Sequence, residues 1–189
     1  MTKKRNLPQA KRDVEFLDGV IVSEAGYVND PDDPGGETKY GISKRMYPNL
    51  NISKISKQEA QVIYLNDFLE KERYHFGAND NITYKLTDIS INAGPRAAHA
   101  ILQESINDVI GKKVLTVDGK LALDGGNTKK AYEFALRDPN IGEDKLMNAI
   151  IKYQKQYYKS LDSKLVAKYG KGWEHRAGYN PIIGEHTRK

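Results

Sequence analysis

The sequence contains no cysteine, which excludes disulfides and thiolate metal sites and leaves the core to hold itself together by packing. The four histidines are scattered without a ligand pair, so neither a metal nor a cofactor is expected. His75 and His99 fall in helical segments with no carboxylate or histidine partner at a useful spacing and are read as surface or satisfied polar residues. No apolar run approaches the ~20 residues a membrane span needs, so stable membrane insertion is not expected. The opening stretch MTKKRNLPQAKRDVEFLDGV has the basic start of an export signal, but Asp13, Glu15 and Asp18 interrupt every apolar stretch in it. Synthesis in the cytoplasm without a conventional signal peptide is the expectation. The absence of cysteine equally suits work in the cytosol or outside the cell. There is no internal repeat and no low-complexity tract.

What is present describes a soluble, folding chain, with 39% hydrophobic and 29% charged residues. A length of 189 residues suffices for one domain or for two small helical lobes. The net charge of +5 favours a polyanionic partner, and both nucleic acid and bacterial envelopes qualify. Lysines are spread along the chain, and there is no recognition helix, zinc site or aromatic RNA motif, so nucleic acid is not expected as the partner.

Residues 1–11 read as a flexible arm. From Lys11 to Glu24, the spacing of Val14, Leu17, Val20 and Ile21 predicts a helix with one apolar face. Glu24 falls on that face at the C-terminal end, where Ala25-Gly26 stops the helix. Residues 26–43, GYVNDPDDPGGETKYGIS, demand turns or a hairpin. Ser56 and Glu59 form a capping-box pattern for a helix running to about Tyr74. Gly94-Pro95 separates two helices within 83–107, with Asp88, Ile89, Asn92 and Ala93 as a mixed stretch between them. Residues 108–127 read as a loop with at most a small β element. Asn127 or Thr128 caps a helix to about Arg137, Pro139 stops it, and Glu143–Tyr169 is the longest helix. Beyond Gly172-Trp173 a loop is expected, with Trp173 packed beneath it. The fold class is mainly α, a helical bundle with a small loop or β-hairpin region after the first helix.

An acid on a mostly apolar helix end is partly desolvated, which raises its pKa and keeps a proton available near neutrality. Glu24 fits that description, and such an acid suits hydrolysis of a glycosidic bond, which also needs a second carboxylate across a cleft. Asp30, Asp32 and Asp33 all occur in the turn-rich loop that follows, although Asx-Pro turns by themselves account for Asp30 and Asp32. Gly35-Gly36 allow a close approach of a bulky sugar, and the Thr38 hydroxyl can orient a water. Calcium is excluded, because DPDDPGG lacks the alternating oxygen ligands and closing Glu of an EF-hand loop. Tyr27 and Tyr40 flank the loop and can line a saccharide groove, or serve as core.

The stretch from Ser23 to Ser43, SEAGYVNDPDDPGGETKYGIS, resembles the signature of the family 108 glycoside hydrolases, which contains phage endolysins and bacterial N-acetylmuramidases. Asp88-Ile89-Ser90-Ile91-Asn92-Ala93-Gly94-Pro95 looks like the family's second motif, trailed by Ala98 and Leu102-Gln103. Val117-Asp118-Gly119, Asn127-Thr128, Gly172-Trp173 and Arg176 are similar to the predicted peptidoglycan-binding module that usually follows. The resemblance covers roughly residues 12–180. It departs from the family at Ala25, where Gly is usual, and near Leu69, where Trp is common and either a core contact or a sugar-stacking surface is altered.

The resemblance implies a lysozyme-like fold with a catalytic region at 12–95, a helical peptidoglycan-binding region at 96–180, and flexible ends at 1–11 and 181–189. It implies cleavage of the β-1,4 bond between N-acetylmuramic acid and N-acetylglucosamine, with Glu24 as general acid. Asp33 is favoured over Asp32 as second acid, because it stands nine residues beyond Glu24, the offset of the acid pair in the T-even type phage lysozymes. Thr38 follows where their threonine does, one residue early. Tyr27, Tyr40 and Asn92 are the expected substrate-binding residues. The expected partner is the peptidoglycan glycan strand, met by a monomer of endolysin type acting on the bacterial wall, in the periplasm or outside. A non-catalytic wall-binding or secretion-assisting protein is the alternative.

Overall fold

The computed structural model describes residues 7–23, 26–29, 36–70, 80–121, 126–161, 163, 170–172, 174 and 177–178. Glu24, Ala25, Asp30, Asp32, Asp33, His75, Trp173 and Arg176 lie outside the described residues. The chain divides into two compact units, Met1–Lys71 with Ile183–Lys189, and Glu72–Ile182. The sequence reading set its own division at residue 95.

In the first unit α1 spans Leu7–Ser23, so residues 7–11 are helical rather than part of the expected arm. Pro8 sits in the first turn, where its missing N–H costs nothing. Leu17, Val20 and Ile21 are buried as the spacing predicts, but Val14 is 50% exposed, and Asp13 and Phe16 are buried instead. The reason is angular. At about 100° per residue, Asp13 falls at the centre of the stripe defined by residues 16, 17, 20 and 21, and Val14 at its edge. The outer side of α1 is tied to the next helix through Asp18 Oδ1, which accepts from Lys57 Nζ at 2.7 Å and Gln61 Nε2 at 2.6 Å.

A three-stranded antiparallel sheet follows, with β1 Tyr27–Val28, β2 Thr38–Lys39 and β3 Ile42–Ser43 in that order. A 3-10 turn at Ile52–Lys54 packs against β2. Next comes α2, Lys57–Tyr64, and the predicted capping box is present. The Ser56 hydroxyl accepts from Glu59 N at 3.2 Å, while Glu59 Oε2 accepts from Ser56 N at 2.8 Å. The helix does not continue regularly toward Tyr74, because residues Leu65–Glu70 widen into a π-helix. That turn buries both Phe68 and Leu69, so of the two roles left open near position 69 the core contact is the one observed.

The second unit contains α3 Asp80–Ala93, α4 Pro95–Ile110, α5 Gly126–Arg137 and α6 Gly142–Lys159. Asp88, Ile89, Asn92 and Ala93, read from sequence as a stretch between helices, are the last turns of α3. Every residue from Ile82 to Ser90 is buried, including Lys85, whose Nζ donates to Ala177 O at 2.9 Å. The break before α4 lies where Gly94-Pro95 puts it, Gly94 taking φ +85° and Pro95 the first helical turn. Ile82, Leu86, Ile89, Ile101, Leu102, Ile106, Leu146 and Ile150 belong to the core that these helices share. Burial of each such side chain contributes about 1.5–3 kcal/mol.

Residues 111–121 form no strand, and α4 side chains hold them in place. Asn107 Oδ1 accepts from Val114 N at 2.9 Å and Leu115 N at 2.8 Å. Gln103 Oε1 accepts from Asp118 N at 3.1 Å and Gly119 N at 3.0 Å, and its Nε2 donates to Asp118 Oδ1 at 3.0 Å and Lys120 O at 3.1 Å. At Gly119, φ is +67° and a Cβ would lie 2.7 Å from the backbone oxygen of Arg96, so only glycine fits. Thus Gln103 and the Asp118-Gly119-Lys120 turn, at least fifteen positions apart in sequence, are two halves of one clamp.

Two expectations at the C-terminal end are corrected. The last long helix ends at Lys159 rather than Tyr169, where the Ser160 hydroxyl donates to Tyr157 O at 2.7 Å and competes with further helical bonding. Residues 174 and 177–178 are helical where a loop was expected. Among the described residues no helix is long and apolar enough to cross a membrane.

Candidate active site

The candidate site of the first unit is built on the sheet, whose register decides which side chains act together. Tyr27 pairs with Lys39 and Lys39 with Ile42, so these three share one face. Val28, Thr38 and Ser43 share the other. The structure therefore brings Tyr27, Thr38 and Tyr40 into one hairpin system but sets Tyr27 and Thr38 on opposite faces. Asn92 stands on α3 of the second unit, where its Nδ2 donates to Asp88 O at 2.7 Å and to Asp88 Oδ1 at 3.2 Å.

Between β2 and β3 the two-residue loop Tyr40-Gly41 has φ +53° and +75°, the pattern of a type I′ turn. Glycine adopts that conformation freely. A tyrosine does not, and a residue held this way costs about 1–3 kcal/mol unless its surroundings impose it. Here they do, because the buried Tyr64 of α2 donates its hydroxyl to Tyr40 O at 2.7 Å. Lys39 Nζ, 5.4 Å from the centre of the Tyr40 ring, donates to Ser53 O at 2.8 Å. Strain of this kind concentrates where a side chain must be presented at a fixed place.

Tyr27 is 49% exposed and its hydroxyl donates to Glu37 Oε1 at 2.9 Å. The bond to Glu37, with smaller contributions from burial and the Glu37 charge, raises the phenol pKa and keeps it a donor. One Glu37 oxygen is engaged by Tyr27, and the carboxylate has capacity for a second donor. Thr38 is half-buried and its Oγ1 donates to Gly36 O at 3.2 Å, leaving its lone pairs to accept from a water.

Below the sheet the loop after β3 is pinned to the π-helix. Tyr47 donates to Asp67 Oδ2 at 2.7 Å, and burial, followed by that bond, pushes the Tyr47 pKa far up. π-helical turns recur at functional sites, and this one orients the residue that anchors the hairpin's far end. Among the described residues no group of three or more His, Asp or Glu is placed to hold a metal.

Sequence reasoning passed over Glu37, Tyr47, Tyr64 and Asp67. Glu37 was accessible in principle, since a hairpin closing at Tyr40-Gly41 puts residues 37 and 39 on one face. The other three depend on contacts from α2 and the π-helix, which no spacing in the chain reveals.

Replacing Tyr40 separates strain from function. Tyr40→Asn restores the Asn-Gly pair preferred by this turn and is expected to raise the melting temperature by roughly 2 °C. If the ring meets substrate, the same change lowers hydrolysis, a divergence that thermal melts and activity assays on one preparation will expose.

No curated protein matches the chain. The model of the family described as Glycosyl hydrolase 108 matches residues 17–94, a span that includes the C-terminal part of α1, the sheet, α2 and α3. Among solved structures, that of Brucella abortus SagA is similar with a TM-score of 0.69 and 22% identity, covering 89% of this chain and 90% of that one. Residues 17–94 are therefore similar to Glycosyl hydrolase 108, within a mainly helical fold similar to that of SagA over nearly the whole length of the chain.

Proposed function

We propose that the protein is a peptidoglycan hydrolase that cuts the β-1,4 bond between N-acetylmuramic acid and N-acetylglucosamine. The observation that carries this reading is the Glycosyl hydrolase 108 match, because residues 17–94 contain Glu24, Asp33 and Thr38 together. Glu24 protonates the departing glycosidic oxygen. Asp33 and Thr38 orient a water or stabilise positive charge at the anomeric carbon. A carboxyl separation of ~6.5–9.5 Å leads to inversion of the anomeric centre and one of ~5–5.5 Å to retention.

A sugar ring lying on Tyr27 meets the second oxygen of Glu37, which accepts from a hydroxyl or acetamido N–H. Tyr40 presents its ring from the hairpin tip, Asn92 serves as a further contact, and the second unit holds the wall polymer as a peptidoglycan-binding module. Action on the wall as a monomer of endolysin type completes the reading, and the charge of +5 draws the protein to an anionic envelope.

Mass analysis of the products from purified peptidoglycan tests it. Fragments ending in reducing N-acetylmuramic acid are expected; ends on N-acetylglucosamine would assign a different bond, and intact strands a different function.

A further inference from the structure

The second unit has an open groove of about 560 Å³ between the end of α4, the loop after it and α5, within the ~300–1,000 Å³ range of ligand sites. Its floor is apolar, formed in part by Leu115 and Ile141, and Val114 and Phe134 line it at 41% and 55% exposure. Two exposed cations, Lys112 and Lys130, also line it, and neither forms an ion pair with a described residue. Asp138 reaches the groove as well, with its Oδ1 accepting from Asn140 N at 2.8 Å. The loop that forms one wall is immobilised by Asn107, which bonds both Val114 N and Leu115 N, so the groove is held in shape before any ligand arrives.

We propose that this groove binds the peptide stem of peptidoglycan rather than its sugars. A glycan presents hydroxyls and acetamido groups, which call for a ring of hydrogen-bonding side chains, and this lining supplies few. A stem peptide presents small apolar side chains and free carboxylates, which match an apolar floor rimmed by two unpaired ammonium groups. The inference rests on the wall being the substrate, and it adds a contact that the catalytic reading does not require.

The test uses the full chain carrying Glu24→Gln, so that the probe survives, and two probes: a purified disaccharide tetrapeptide and the same disaccharide stripped of its peptide. Amide chemical shifts of Val114 and Phe134 should move with the first probe and stay still with the second. Adding Lys112→Glu and Lys130→Glu should weaken binding of the first by about tenfold or more. Phe134→Ser, at an exposed position, should weaken it without lowering the melting temperature. The proposal fails if the charge-reversed variant binds within about twofold of its parent, or if the bare disaccharide moves the same resonances equally. Hydrolysis is read separately, as reducing ends released by the unsubstituted chain, so its absence would count against the glycosidase reading and leave the groove result standing.

Discussion

Glu24→Gln should reduce the release of reducing ends from purified peptidoglycan by about 10²–10⁴-fold, the range that a positioned general acid contributes. The amide has nearly the carboxyl's shape but has no acidic proton to give to the leaving oxygen. Glycan affinity should therefore survive while turnover collapses. A wall-binding protein with no catalytic role would keep its affinity in the same way but would have no turnover to lose. Thr38→Val is a graded companion. It removes the hydroxyl that bonds Gly36 O but keeps the side-chain volume on its face of the sheet, so a smaller loss of rate with unchanged folding is expected.

Gln103→Ala should lower stability by about 2 kcal/mol, or roughly 4–8 °C in melting temperature for a chain of this size. The side chain is 3% exposed and makes four hydrogen bonds, two accepted and two donated. Truncation strands the N–H of the buried Gly119, while the N–H of Asp118 and the carbonyl of Lys120 lie on exposed residues where water replaces part of what is lost. A drop of less than about 1 kcal/mol would mean that the loop is held by Asn107 and its own turns instead.

The same clamp predicts a dependence on acidity. The bond from Gln103, then that from Lys120 N, holds the Asp118 pKa below its ordinary value of 3.8. A carboxyl with a lowered pKa in the folded state contributes stability above its unfolded value, and that contribution is lost as pH falls through the folded value. The Gln103→Ala variant has already lost the chief cause of the shift. The gap in melting temperature between the two proteins should accordingly be constant near neutrality and narrow below about pH 4.

Much of the architecture was legible from residue patterns because it arises from short-range chemistry. The Ser56–Glu59 box, the Gly94-Pro95 break and the stripe of Leu17, Val20 and Ile21 each follow from interactions within one or two helical turns, and each stands where the sequence puts it. The same reasoning misjudged what long-range packing decides. The helix after Tyr64 widened into a π turn. The last long helix stopped at Lys159. For the site, the motif from residues 23 to 43 pointed to Thr38, Tyr27 and Tyr40, and these do share a hairpin system. That Tyr27 faces away from Thr38 follows from strand register, which a run of two-residue strands leaves unmarked.

By itself the chain determined a mainly helical fold without disulfides and a turn-rich segment after the first helix, and it supplied the acids and hydroxyl proposed for hydrolysis. Those follow from local propensity, capping and residue chemistry, which need only near neighbours. Tertiary structure alone decided that Tyr40 is held in a left-handed turn by the Tyr64 hydroxyl and that Gln103 closes on Asp118 and Gly119. Each of these joins residues at least ten positions apart, and the free energy that brings such groups together comes from burying the surrounding helices, not from any pattern in the segments themselves.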